Sequence, residues 1–194
     1  MGGVDKGLQV FGDRPLAAHV FERLRPQVDE MFISANRHAD WYAGLGAPVL
    51  RDENPSLNPS FEGPLAGILA GLRRAHREFL VVVPCDGPFL AADLVARLHT
   101  ALLRDNADIA CACTDAPTGG VDRHYVYALM RTTLAPDLSQ YFLDGGRAVR
   151  AWYARHKLTE VRFDDPRSFY NINTAEALAV LERHSGPAPT GNAG

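Results

Sequence analysis

An α/β domain with a mostly parallel sheet and helices on both faces is the fold class this sequence predicts, and three observations predict it. Short apolar runs alternate along the chain with amphipathic segments of helical period. Phe79 to Val83 is a continuous apolar run of the kind that forms a parallel strand buried on both sides. Acidic residues follow strand-like runs at Asp52 and Asp86, which places them at the carboxyl edge where such sheets bind ligands.

The elements follow in order. Leu16, Ala17, Val20, Phe21 and Leu24 recur at helical spacing between Asp13 and Pro26, with Pro15 in the first turn and Pro26 as the stop. Short strands are expected at Met31 to Ala35 and Val49 to Arg51, then a Pro-, Asn- and Ser-rich loop from Glu53 to Gly63. Pro64 opens a second helix with Leu65, Ile68, Leu69 and Leu72 on one face. After the strand ending at Val83, a third helix carries Leu94, Val95, Leu98 and Leu102. A strand around Asp108 to Cys113, a Gly-containing loop and a strand at Tyr125 to Met130 come next. Helical segments near Leu134 to Leu143 and Ala148 to His156, a strand at Thr159 to Phe163 and a last helix after Asn173 complete the pattern. Asn173 and Glu176 suit a capping box there.

A chain of 194 residues suits one domain, expected over residues 1–184, with a Gly-, Pro- and Ala-containing disordered tail over residues 185–194. Its 46% hydrophobic and 22% charged residues argue against a disordered or collagen-like chain. A net charge of −3 provides no bulk attraction for nucleic acid or an anionic membrane, so a phosphate ligand must be held locally. No apolar run approaches the roughly 20 residues needed to cross a bilayer. The start lacks the pattern of a secretory signal, and the three cysteines form no CxxC pair. These features read as a reduced, cytoplasmic protein.

Asp86, before Gly87-Pro88, reads either as a metal ligand at the sheet edge or as a turn-initiating Asp bonded to its own backbone. Asp52 could meet it in one crevice, and Mg²⁺ needs only one or two carboxylates beside phosphate oxygens. Lys6, preceded by Gly2, Gly3 and Asp5 and followed by Gly7, has a flexible glycine context that lets an ammonium approach a phosphate, although a lone lysine is ordinarily just solvated. Gly63-Pro64-Leu65-Ala66-Gly67 brings bare backbone to a helix start, suiting a flat base or an anion as well as an ordinary helix opening. Asn36-Arg37-His38 and Asn171-Ile172-Asn173 are polar clusters after expected strands, and capping explains Asn173 as well as a ligand does. The seven histidines share no zinc spacing. Cys111 and Cys113 read as small strand residues, and Arg147 and Arg150 as surface residues or phosphate contacts.

Six motifs stand in one order: Met1-Gly2-Gly3-Val4-Asp5-Lys6-Gly7, Gly12-Asp13-Arg14-Pro15-Leu16, Ser34-Ala35-Asn36-Arg37-His38, Gly63-Pro64-Leu65-Ala66-Gly67, Pro84-Cys85-Asp86-Gly87-Pro88 and Asn171-Ile172-Asn173-Thr174. From Met1 to about Arg183 the chain closely resembles molybdenum cofactor guanylyltransferase, the MobA family of nucleotidyltransferases. The resemblance implies a Rossmann-like domain that joins GMP from GTP to the phosphate of molybdenum-molybdopterin, with Mg²⁺ as cofactor and pyrophosphate released. It implies GTP contacts at Lys6, Ser34, Asp52, Gly63, Pro64, Leu65, Gly67 and Asp86. Lys6 and Asp86 are then the catalytic pair, Asp86 the Mg²⁺ ligand, and Asn171 and Asn173 the molybdopterin contacts. Ser34 stands where the family often has Asn. Handover to molybdoenzymes or their chaperones is implied as well.

Members of that family place a strand and a Leu-Ala-Gly-Gly phosphate loop ahead of the Met-Gly-Gly-Val-Asp-Lys motif. Here the chain starts at that Met, so the first strand is expected to be missing. Either the natural protein is longer or this is a truncated relative, and the unpaired strand neighbours lead to an expectation of poor solubility. Two other readings stay open: a non-catalytic GTP- or molybdopterin-binding partner, and a related cytidylyltransferase.

Overall fold

The computed structural model describes residues 5–51 and 63–171. Asp52, Asn173, the expected loop after Asp52, the last helix and the tail lie outside the described residues. A hairpin of β1 (Val10–Phe11) and β2 (Arg14–Pro15) turns at Gly12, whose φ of 65° belongs to the left-handed region. Helix α1 (Leu16–Leu24) follows with Leu16, Ala17, Val20 and Leu24 buried, the face its spacing predicts. Pro15 ends the hairpin just before this helix instead of sitting in its first turn.

Strand β3 (Ile33–Ser34) and strand β4 (Val49–Leu50) pair in parallel across the short helix α2 (Ala39–Ala43). Helix α3 (Pro64–Arg74) leads to β5 (Phe79–Val82), and α4 (Leu94–Arg104) to β6 (Ile109–Asp115) and β7 (Val121–Arg131). Then come α5 (Ala135–Leu143), α6 (Val149–Tyr153) and β8 (Leu158–Arg162). Four strands form one sheet in the order β5-β7-β6-β8.

This sheet corrects the expectation of a mostly parallel one. β6 and β8 are parallel, but β7 runs antiparallel to both β5 and β6, so the sheet is mixed. The cause is the connection over residues 116–120, which is too short for a crossover helix and closes a hairpin through Gly119 and Gly120 at φ of 88° and 94°.

Helices do cover both faces. Strand alternation sends Ala110, Ala112, Tyr127 and Leu129 toward Leu94, Leu98 and Leu102 of α4. Ile109, Ala128 and Met130 point the other way, into a layer with Leu65, Ile68, Leu138, Phe142 and Trp152 from α3, α5 and α6.

β5 is half-buried along its whole length, not fully buried as its apolar run predicts. Its one partner among the described strands is β7, and the neighbouring ground is a cavity of about 1510 Å³ that β3 and β5 both line. That exceeds the roughly 300–1,000 Å³ of an ordinary small-molecule pocket. β3 and β5 run in the same direction. The residues just before them meet at Asp29–Arg77 (3.7 Å) and Glu30–His76 (2.9 Å), while the residues just after them converge on Asp5 to Gly7.

Candidate active site

Two turns meet beyond the end of β5. The first is a 3₁₀ turn, Lys6–Leu8, whose N-cap Asp5 accepts the Gly7 N–H at 3.2 Å through Oδ1. The same oxygen accepts the Tyr42 hydroxyl at 2.7 Å, and Asp5 Oδ2 lies 3.0 Å from His38 Nδ1. Residues 38 and 42 follow β3, so Asp5 ties the Lys6 turn to the chain that leaves that strand. His38 takes a left-handed conformation to open α2 at this point.

The second turn is Cys85-Asp86-Gly87. Asp86 is 7% exposed, with Lys6 Nζ 3.8 Å from its Oδ2. Burial holds this carboxyl above its ordinary value, against the opposing pull of Lys6. With Lys6 about half exposed, the pair itself is worth well under about 1 kcal/mol. A buried carboxylate and an ammonium side by side can between them hold a cation and a phosphate.

Both turns rest on tyrosines. A Cβ at Gly7 would collide with the Tyr42 hydroxyl, and one at Gly87 with the Tyr127 hydroxyl. Tyr127 is 1% exposed and donates to Asn171 Oδ1 at 3.1 Å. Burial pushes both phenols above the usual tyrosine range, with the Asp5 hydrogen bond adding to this for Tyr42 and the Asp86 charge for Tyr127. Both therefore remain protonated donors. Beside Tyr127, His124 stacks on Phe169 with centroids 4.5 Å apart and bonds Thr114 Oγ1 at 2.9 Å.

Ser34, Gly63, Pro64, Gly67, Asp86 and Asn171 line the cavity beside β3 and β5. A Cβ at Gly67 would stand 2.8 Å from Ser34 Oγ, so the glycine lets α3 close on β3. Gly63 caps α3 without a side-chain hydrogen bond, and Pro64 occupies its first turn. Leu65 departs from the others: its side chain is 1% exposed in the core beneath α3, leaving only its backbone for a ligand. Tyr42 and Tyr127 were not legible as site residues, because a tyrosine among apolar neighbours reads as core. Asp5 was legible only as a neighbour of Lys6.

The site thus sets a buried carboxylate beside a lysine, just beyond the carboxyl end of β5. Residues 1–161 match the model of the MobA-like NTP transferase domain. The chain belongs to this family. It is 53% identical over 193 residues to the molybdenum cofactor guanylyltransferase of Burkholderia lata, an alignment covering 94% of this chain and 89% of that one. Its identity to the enzyme of the same name from Ralstonia nicotianae is 48% over 188 residues, covering 94% and 90%. Among solved structures, the molybdopterin-guanine dinucleotide biosynthesis protein A of Archaeoglobus fulgidus superposes with a TM-score of 0.72 at 21% identity, over 94% of this chain and 91% of that one. The 2-C-methyl-D-erythritol 4-phosphate cytidylyltransferase of Thermus thermophilus gives 0.70 at 18%, over 92% and 93%. Both place the mixed sheet and its helices in the nucleotidyltransferase fold.

Mg²⁺ fits this MobA-like site on the chemistry of its donors. Among the described residues no three His, Cys, Asp or Glu side chains converge on one point. Asp86 is the buried carboxylate beside Lys6 among the described residues and would supply one oxygen, in keeping with a Mg²⁺ site that takes one or two carboxylates and completes its shell with phosphate and water oxygens. No helix among the described residues is long and apolar enough to cross a membrane.

Proposed function

We propose that this chain transfers GMP from GTP to the phosphate of molybdenum-molybdopterin, forming the guanine dinucleotide cofactor and pyrophosphate. The observation that carries the reading is the Lys6–Asp86 pair at 3.8 Å in a chain of the MobA-like family. Ser34, Asp52, Gly67 and the backbone of Gly63-Pro64-Leu65 are assigned to GTP, and Asn171 with Asn173 to molybdopterin.

The chemistry follows from charge. A phosphate oxygen of molybdopterin attacks the α-phosphorus in line, and the bond to the bridging oxygen of the leaving pyrophosphate breaks as the new one forms. Both reactants are anions, so the site must suppress their repulsion and hold them in line. Lys6 supplies a fixed positive charge to the nucleotide phosphates. Asp86 would hold Mg²⁺ against the same phosphates, and the ion when bound neutralises charge on the leaving group. No side-chain nucleophile and no covalent enzyme intermediate enter this scheme.

The cytoplasmic assignment rests on the cysteines, all three unpaired. Handover of the product to molybdoenzymes or their chaperones is likewise assigned from the family. The test is pyrophosphate release from GTP, Mg²⁺ and molybdopterin. Release that depends on molybdopterin supports the transferase; GTP binding without release would replace it with the binding-partner reading.

A further inference from the structure

The residues on either side of the proposed reaction centre share one arrangement. Lys6 and Asp86 are each followed by a glycine, and over each glycine lies the hydroxyl of a buried tyrosine that leaves no room for a Cβ. Each hydroxyl also donates to a polar side chain at the edge of the site: Tyr42 to Asp5 Oδ1 at 2.7 Å, and Tyr127 to Asn171 Oδ1 at 3.1 Å. The tyrosines come from different elements, α2 and β7, so each joins a loop to the framework.

We propose that Tyr42 and Tyr127 are paired positioning residues, Tyr42 setting the Lys6 turn for the nucleotide and Tyr127 setting Asn171 against the Asp86 turn for the second substrate. This rests on the guanylyltransferase reading. Neither tyrosine touches a reacting atom. Tyr42 acts through Asp5 Oδ1, which accepts the Gly7 N–H as well and so fixes the backbone that carries Lys6. Tyr127 acts through Asn171, an exposed residue on the loop that follows β8. A tyrosine left to fill space would need neither the hydroxyl nor the glycine beneath it; here both are present twice.

The test is a pair of single-atom deletions, Tyr42→Phe and Tyr127→Phe, with both substrates titrated separately. Tyr42→Phe is expected to raise the KM and Kd for GTP roughly three- to tenfold, the effect of one hydrogen bond, with those for molybdopterin within twofold. Tyr127→Phe is expected to do the reverse. Gly87→Ala should lose most activity, because its methyl meets the Tyr127 hydroxyl. Adding Tyr127→Phe should restore part of it, since the next ring atom, Cζ, stands 3.2 Å from that methyl. A lower Tm in both single variants with unchanged constants for both substrates would reduce the tyrosines to packing and overturn the proposal. So would shifts of equal size for both substrates, or a Gly87→Ala defect that Tyr127→Phe leaves untouched. A wild type that binds both substrates with no turnover would sink the transferase reading instead, and the Kd values would still decide the role of the tyrosines.

Discussion

Replacing Asp5 separates the anchoring of the Lys6 turn from its chemistry, because two substitutions at this position remove different things. Asp5→Ala deletes the acceptor for the Tyr42 hydroxyl and the Gly7 N–H, together with the His38 contact. The cap is worth about 1 kcal/mol. Tyr42 is 4% exposed, so leaving its hydroxyl without an acceptor adds about 1–3 kcal/mol. A total loss of roughly 2–4 kcal/mol corresponds to a fall in Tm of about 4–16 °C for a domain of this size. Asp5→Asn retains an oxygen for Tyr42 and Gly7 and offers His38 an amide, so it should cost less than about 1 kcal/mol. Urea unfolding of the three proteins reads these differences directly, and GTP affinity should fall in step with them. Equal stabilities for Asp5→Ala and Asp5→Asn would show that the Oδ1 hydrogen bonds do not hold the turn.

Three further outcomes are expected. Gly67→Ala places a methyl 2.8 Å from Ser34 Oγ and should raise the KM for GTP several-fold with little change in Tm. Leu98→Ala empties a fully buried position under the sheet and should cost about 2–5 kcal/mol in a urea titration without altering the KM of folded protein. Burial holds the His124 imidazole below its ordinary value, against the pull of Asp122, so the folded state binds that proton less readily than the unfolded chain. Its contribution is therefore intact above the unfolded pKa of about 6.5 and is lost as pH falls toward the folded value. The difference in Tm between pH 7 and pH 5 should shrink in His124→Gln, and an unchanged difference would assign the acid sensitivity elsewhere.

The helices were the most legible part of the fold, because one face of each is set by a repeat of apolar residues. Leu94, Leu98 and Leu102 lie on the buried face of α4 as their spacing requires. Strand direction was not legible from the same kind of pattern, since a fully apolar strand reads alike in either direction. The direction of β7 was instead encoded in the connection over residues 116–120, where Gly119-Gly120 and a span too short for a helix force a hairpin. The half-burial of β5 escaped notice for another reason: an apolar run records what a strand can tolerate on both sides, not which neighbours are present.

In the site, Lys6 and Asp86 were legible as motifs 80 positions apart, and only the fold brings them to 3.8 Å. Leu65 shows the limit of carrying a motif over residue by residue, for its side chain faces the core while the glycines around it face the cavity. Tyr42 and Tyr127 were hidden because a phenol on an apolar face carries no periodic signal distinct from leucine. What marks them is contact with glycines and polar atoms distant in sequence, visible only in three dimensions.

The central claim is tested most directly by combining the chain with GTP, Mg²⁺ and molybdenum-molybdopterin, then measuring pyrophosphate and guanine dinucleotide together for the wild type and Asp86→Asn. The expected result is equal amounts of the two products from the wild type. Asp86→Asn should show at least a hundredfold lower rate at an unchanged or slightly raised Tm, since it removes a buried charge without emptying space. Product formation by Asp86→Asn at the wild-type rate under saturating Mg²⁺ would contradict the account.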